Sequence, residues 1–291
     1  MKEAPRKVTV RILQRGFRDD TSPQEVLEEV AELVSAQRDV DLVVLSELWL
    51  HGAFSSETWA ESAVEIPGPA TEVLARAAAS AGVTLHAGSF IERACEGESR
   101  GAQNRGLWNT SVVIDSSGAI VATYRKIHRF GFGEGEPQTI EAGTDFTTFP
   151  LRNRAGDAVG IAGLATCYDL RFPELFRCLV DRGAELFLVP AAWPQARIAH
   201  WELLGRARAV ENEAFVVQCN DGGEHAGLAM GGSSRIVDPG GNVVVMAGRG
   251  PESLTAVLDL GDVATARRTF PVLQDRRISA GELAASSGMG A

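Results

Sequence analysis

Three residues stand just past apolar runs, at positions where a strand would end: Glu47 after "DLVVLS", Lys126 after "AIVATYR" and Cys167 after "VGIAGLAT". In open α/β sheets, sites gather at the carboxyl ends of strands. The three types are chemically complementary. A cysteine thiolate is a nucleophile, and a carboxylate can take the thiol proton and later deliver it to a leaving amine. An ammonium can stabilise the oxyanion formed when a carbonyl or nitrile is attacked. Cys167 also directly precedes a helical pattern, "FPELFRCLVDRG", whose first amides favour negative charge. Position alone does not single these residues out. Free cysteine is among the most buried residue types, Lys126 lies in the basic cluster "YRKIHR", and a lone glutamate is usually a surface or capping group.

The elements that must position these groups alternate along the chain. "KVTVRILQ" (7–14) reads as a strand and 22–39 as a helix. Ser22 is a plausible N-cap there, Pro23 takes the first helical position, and Glu25 completes a capping box. "DLVVLSE" (41–47) reads as a buried strand, "PATEVLARAAASAG" as a helix closed by Gly82, and "VTLHAGSF" as a strand. A hairpin over 111–126 turns at Asp115-Ser116-Ser117-Gly118 and delivers Lys126. In the second half, "AVGIAGLAT", "ELFLVP" and "FVVQCND" read as strands, separated by helices at "FPELFRCLVDRG" and "HWELLGRARAVENEA". A second hairpin (233–248) turns at Asp238-Pro239-Gly240-Gly241, and "LTAVLDL" closes the regular part. Alternating strands and helices in both halves favour an α/β layered fold. A similar hairpin in each half suggests pseudo-symmetric halves with two sheets packed together and helices outside. No linker interrupts the middle, so residues 1–280 read as one domain, with 281–291 a flexible, small-residue tail.

Totals narrow the class. The 291 residues are 45% hydrophobic and 23% charged, with a net charge of -10. That is globular composition, and an acidic surface argues against nucleic acid or anionic membrane as a partner. The N-terminus carries no secretory pattern, and no apolar run reaches the ~18 residues of a membrane span. Four widely spaced cysteines, Cys95, Cys167, Cys178 and Cys219, give neither a zinc site nor a disulfide framework. They point to a reducing cytoplasm.

The wording around the three residues is more specific than their positions. "LSELWLHGAF", "YRKIH" and "CYDLRFPEL", in this order and at this spread, resemble the carbon–nitrogen hydrolase (nitrilase) superfamily, most closely its amidase and ω-amidase-like members. "LWNTSVVIDSSGAIVATYRKIH", "VPAAWP", "HWELLGRARAVENEAFVVQCN" and "GGSSRIVDPGGNVV" extend the resemblance over nearly the whole chain. It implies a four-layer α-β-β-α sandwich of two mixed sheets, no metal and no organic cofactor, and a homo-oligomer of two or more protomers. It also implies a Glu–Lys–Cys triad: Glu47 as general base and acid, Lys126 as electrophilic stabiliser, Cys167 as the covalent nucleophile. The backbone N–H of Tyr168 becomes the second oxyanion donor. A second glutamate of the family falls in "RFGFGEGEPQTIEAG". Glu134, Glu136 and Glu141 are its candidates, spacing favours Glu136, and Glu134 is the runner-up.

The implied reaction cleaves the carbon–nitrogen bond of a small amide through a cysteine thioester, releasing ammonia and an acid. A nitrilase or an N-carbamoyl amide hydrolase on the same triad, a cysteine–histidine hydrolase using His128 or His200, and a non-catalytic interaction protein on this fold are the alternatives. Trp193, Phe132, Glu134 and Arg197 are candidate substrate contacts. Arg197 or Arg129 could serve the free carboxylate of a dicarboxylate ω-amide, whereas Phe130 and Phe132 suit a more apolar acyl group. Asp169 and Arg171 read as a local ion pair fixing the turn at Cys167, and Asn109 as support from behind. The sequence departs from the family pattern at two positions. Ser46 stands where a proline often precedes the glutamate, and Thr166 where an aliphatic residue often precedes the cysteine.

Overall fold

The computed structural model describes residues 6–278; the tail expected over 281–291 lies outside them. The chain runs β1 (Lys7–Gln14), α1 (Pro23–Ser35), β2 (Leu42–Val44), α2 (Trp59–Ser62), α3 (Pro69–Ala81), β3 (Thr84–Arg93), β4 (Leu107–Ile114), β5 (Ile120–Arg125) and α4 (Glu136–Thr139). It continues β6 (Thr148–Arg152), β7 (Ala158–Leu164), α5 (Pro173–Asp181), β8 (Leu186–Pro190), α6 (Ile198–Asn212), β9 (Phe215–Cys219) and a small ribbon, β10 (Glu224–His225) and β11 (Leu228–Ala229). It ends β12 (Arg235–Val237), β13 (Val243–Met246), β14 (Glu252–Asp259) and α7 (Gly261–Thr269).

The long strands form two six-stranded mixed sheets, ordered β14-β1-β2-β3-β4-β5 and β13-β12-β9-β8-β7-β6. In the first, β1, β2 and β3 are parallel and β4 and β5 follow antiparallel. In the second, β7, β8 and β9 are parallel and β12 and β13 follow antiparallel. The halves therefore repeat one plan.

Side-chain alternation makes the layers. In β2, Leu42 and Val44 face the second sheet, packing with Leu164, Leu186 and Val217. Val43, between them, points the other way with Leu45 and packs under α1 and α3, against Val30, Val34 and Leu74. The second sheet does the same, with Phe187, Val189 and Val216 meeting Phe176, Leu179 and Trp201 of α5 and α6. Strands buried on both faces need apolar residues at every position, which is why they read as continuous runs. The result is the expected α-β-β-α sandwich.

Local chemistry sets the boundaries. Ser22 Oγ accepts from Glu25 N–H (3.3 Å) while Glu25 accepts from Ser22 N–H (3.1 Å), so α1 begins with a complete capping box. The helix stops at Ser35 rather than at residue 39; by Asp39 the backbone is left-handed (φ 57°). Gly82 closes α3 at φ 67°. The elements that escape the sequence pattern include two of more than four residues. β6 contains Pro150, which argues against a central strand, and it is an edge strand pairing only with β7. α7 buries only Val263 and so carries no apolar stripe. No helix among the described residues is long and apolar enough to cross a membrane.

Candidate active site

Glu47, Lys126 and Cys167 converge from three strand ends. Beyond β2 the chain leaves the sheet and buries Glu47 to 3% exposure. Its Oε1 accepts from Lys126 Nζ (2.7 Å) and Asn109 Nδ2 (2.9 Å), and its Oε2 accepts from the Ala192 N–H (3.0 Å) just past β8. Lys126 is the first residue after β5, and its N–H donates to the carbonyl of Asn109 in β4 (2.8 Å). The buried ammonium also donates to Glu136 (3.0 Å). Burial works against the ammonium, but Glu136 and Glu47 outweigh it and hold the Lys126 pKa well above the usual lysine value.

Of the three loop glutamates, Glu136 meets Lys126. It opens α4 and is buried, accepting from Asn109 Nδ2 (2.8 Å) and the Phe130 N–H (2.5 Å). Burial raises its pKa, with Glu47 adding and Lys126 opposing. Glu134 is exposed on the cavity rim. Glu141 instead accepts backbone N–H groups of Gln103 and Arg105, which cap a neighbouring loop.

Cys167 starts a single 3₁₀ turn, Cys167–Arg171, that leads into α5. Its φ of 47° is left-handed, a conformation that costs a non-glycine residue energy and clusters at functional sites. Asp169 holds the turn: its Oδ2 accepts the Thr166 N–H (2.8 Å) and the Tyr124 hydroxyl (2.8 Å). Its Oδ1 accepts the His128 N–H (3.0 Å) and faces His128 Nδ1 (2.7 Å). Asp169 thus ties the nucleophile's turn to residues on both sides of Lys126. The expected Asp169–Arg171 ion pair does not form. Arg171 lies over the Trp193 ring instead, 4.8 Å from its centroid. Tyr168 N–H belongs to the first turn, where amides have no acceptor within the helix.

Burial, and then the Glu47 charge, push the Cys167 thiol well above the ordinary cysteine value, against the pull of Lys126. The resting sulfur is therefore a thiol. The Lys126 ammonium sits between the Glu47 and Glu136 carboxyl groups, to which Asn109 and the Ala192 and Phe130 amides also donate.

Glu47, Lys126, Glu136 and Cys167 line one cavity of about 340 Å³. A narrow second lobe beyond Cys167 is lined by Tyr168, Arg171, Trp193 and Arg197. Trp193 is buried and donates from Nε1 to the Arg197 carbonyl (2.8 Å). The Arg197 guanidinium lies 5.3 Å from the Phe130 ring centroid. Phe132 is 81% exposed on the rim of the first lobe. Arg129 is spent on Gln103 and the Ile140 carbonyl, both at 2.7 Å. The histidines are likewise engaged outside the cavity: His128 stacks on Phe172 (3.7 Å) beside Asp169, and His200 meets Arg171 (3.2 Å). Phe54 and Trp59 also line the cavity. Phe54 comes from the loop after Glu47 and Trp59 opens α2; two aromatics inside a polar stretch are the one signal that could have marked them.

Comparison with known proteins agrees with this geometry. The carbon-nitrogen hydrolase family matches residues 9–268. A 2-oxoglutaramate amidase of Paenarthrobacter nicotinovorans is 41% identical over 271 residues, covering 93% of this chain and 90% of the relative. The crystal structure of XC1258 from Xanthomonas campestris, a carbon–nitrogen hydrolase superfamily protein with an arsenic adduct in its active site, superposes with a TM-score of 0.82. Its identity is 27%, over 94% of this chain and 98% of that one. A variant of the amidase from Nesterenkonia sp. AN1, carrying the acetamide moiety of fluoroacetamide covalently on its active-site cysteine, gives a TM-score of 0.76. Its identity is 26%, over 96% of each chain. The chain belongs to the carbon–nitrogen hydrolase family, and it is an amidase that cleaves the carbon–nitrogen bond of a small amide.

Proposed function

We propose that the protein hydrolyses the ω-amide of a small dicarboxylate, with 2-oxoglutaramate as the leading candidate, through a thioester on Cys167. Glu47 takes the Cys167 proton as Sγ bonds the amide carbon. The carbonyl π pair moves onto oxygen, where the Lys126 ammonium and the Tyr168 N–H stabilise it. As the oxyanion collapses, the C–N bond breaks and nitrogen takes the proton from Glu47, leaving as ammonia. Water then gives a proton to Glu47 and attacks the thioester. The second tetrahedral intermediate expels the sulfur, which recovers the proton. Glu136 holds Lys126 in place throughout, and every step balances without a metal or organic cofactor.

The observation that carries this reading is the Lys126 ammonium, within 3.0 Å of both Glu47 and Glu136 in the cavity that Cys167 lines. A thiol kept protonated by burial needs a base beside it. The substrate class rests on Arg171 and Arg197 in the second lobe: two cations beside the nucleophile suit an acyl group that ends in a carboxylate. Two relatives named 2-oxoglutaramate amidase, the second from Bacillus subtilis at 35% identity, support the same choice over nitrile or N-carbamoyl substrates. Four unpaired cysteines fit a reducing compartment. A homo-oligomer fits Leu203 and Val210, exposed on the outer face of α6, and light scattering would show the subunit number.

The test is ammonia release from 2-oxoglutaramate, an uncharged amide, a nitrile and an N-carbamoyl compound. The highest kcat/KM is expected for 2-oxoglutaramate. Preference for the nitrile or carbamoyl compound would overturn the substrate class. Absence of any turnover, with Cys167 unreactive toward an electrophile, would favour the non-catalytic reading.

A further inference from the structure

Two buried hydroxyl residues, Ser46 and Thr166, lie on the seam between the sheets. Ser46, past the end of β2 in the first sheet, donates its hydroxyl proton to Asp221 Oδ1, past the end of β9 in the second. Thr166, past the end of β7 in the second sheet, shares a hydrogen bond of 2.9 Å with Ser111 of β4 in the first. All four side chains are buried, none more than 2% exposed. Ser46 immediately precedes Glu47, and Thr166 immediately precedes Cys167. Apolar side chains fill most of the rest of the seam, with Tyr124–Asp169 and Gln14–Ser234 as further polar contacts across it. Apolar contact is non-directional and permits small slips, whereas a hydrogen bond fails steeply with distance and angle.

We propose that Ser46–Asp221 and Thr166–Ser111 are a pair of cross-sheet positioning contacts, one behind the base and one behind the nucleophile, that hold Glu47 and Cys167 in reacting register. The proposal rests on the roles given above to Glu47 and Cys167. It also places a titratable group at the seam. Burial pushes the Asp221 carboxyl up to about 8, with the Glu47 charge adding and the Ser46 hydrogen bond and Arg15 opposing. Cys219 faces it too, its thiol raised by burial and by Asp221. In its neutral form the Asp221 carboxyl accepts the Ser46 hydroxyl without adding charge to the site. Ionisation at higher pH puts a further negative charge beside the Glu47 and Glu136 carboxyl groups. Reaching the oxyanion then becomes harder, so turnover falls on the alkaline side.

Four variants test this. Ser46→Ala and Thr166→Val should each lower kcat about ten-fold or more with KM within about two-fold, since small misplacements of reacting groups are costly in rate. Thr166→Ser, which keeps the hydroxyl, should recover most of the loss. Asp221→Asn keeps a hydrogen-bonding group but cannot ionise, so the fall in kcat above pH ~8 should disappear. Unchanged kcat in both Ser46→Ala and Thr166→Val, or the same alkaline fall in Asp221→Asn as in the parent, overturns the proposal. Equal loss in Thr166→Val and Thr166→Ser, with lowered melting temperature, assigns the site to packing and also overturns it. Cys167→Ala separates the two levels: activity in that variant sinks the nucleophile reading. An inactive Cys167→Ala beside fully active seam variants sinks only the seam.

Discussion

The two halves share a strand plan but use equivalent strand ends differently. β1 and β7 each lead the parallel run of their sheet. β1 ends in Gln14, whose amide donates to the Gly248 carbonyl (2.9 Å) and accepts the Ser234 N–H (2.9 Å). The chain then crosses residues 15–22 before α1 starts. β7 ends two residues short of Cys167, which turns at once into a 3₁₀ turn and α5. A long connection gives a side chain that fastens the last hairpin; a short, left-handed one gives a nucleophile beside unpaired amides. β2 and β8 divide in the same way. β2 delivers the Glu47 side chain, whereas past β8 Ala192 delivers a backbone N–H to it. The first half thus supplies movable protons and charge, and the second supplies the covalent atom and fixed dipoles. Duplicated architecture supplies positions, and local turn chemistry decides what each position does.

That division can be broken from either side. Cys167→Ala in the covalent half should cost the most, at least ~10⁴-fold in ammonia release, because nothing else in the cavity can form the thioester. Lys126→Met in the charge half should cost ~10²–10³ in kcat, the scale of one lost oxyanion donor. Substantial activity in Cys167→Ala, alongside a dead Lys126→Met, would reverse the assignment of roles. Glu47→Gln should cost ~10²–10⁴ in amide turnover and should also move the thiol. The Glu47 charge helps raise the Cys167 pKa, so its removal should shift the pH profile of Cys167 alkylation toward lower pH. Lys126 opposes that rise, so Lys126→Met should shift the profile the other way. Alkylation profiles that coincide would show the halves to be electrically independent.

Two smaller effects sharpen the picture. Arg171→Met should raise KM for a carboxylate-bearing amide by ~10-fold or more, on the scale of one hydrogen bond to a charged group. An uncharged amide should be unaffected, and equal effects on both would remove Arg171 from substrate binding. Ser22→Ala removes the α1 cap on the outer face and should cost ~1 kcal/mol of stability in urea titration with kcat unchanged.

Much of this was legible in the sequence because the strands are buried on both faces. Runs such as "LVVL" and "VGIAGLA" have no polar member to disguise them, and the family-like wording around their ends, more than the ends themselves, pointed to Glu47, Lys126 and Cys167. Spacing favoured Glu136, and the structure puts it against Lys126. What stayed hidden depended on contacts between distant segments. Asp169 has a nearby arginine, and local charge suggested an ion pair. Its partners, Tyr124 and His128, lie about 40 residues earlier, and no local pattern announces them. The choice between Arg197 and Arg129 for a substrate carboxylate was hidden for the same reason. Nothing local distinguishes Arg129 from Arg197, but Gln103 and the Ile140 carbonyl occupy Arg129.

The return of β14 to the first sheet has a consequence for how the chain is made. β14 pairs along all of β1, from Lys7 with Asp259 to Gln14 with Glu252. The first of the described strands therefore waits for the last of them before its outer edge is covered. Contacts so far apart in sequence slow folding, and an uncovered strand edge invites pairing with other chains. Emerging protein is thus exposed to aggregation until β14 has been made. A chain ending at residue 250 should sediment as aggregate under conditions where the full chain stays dispersed.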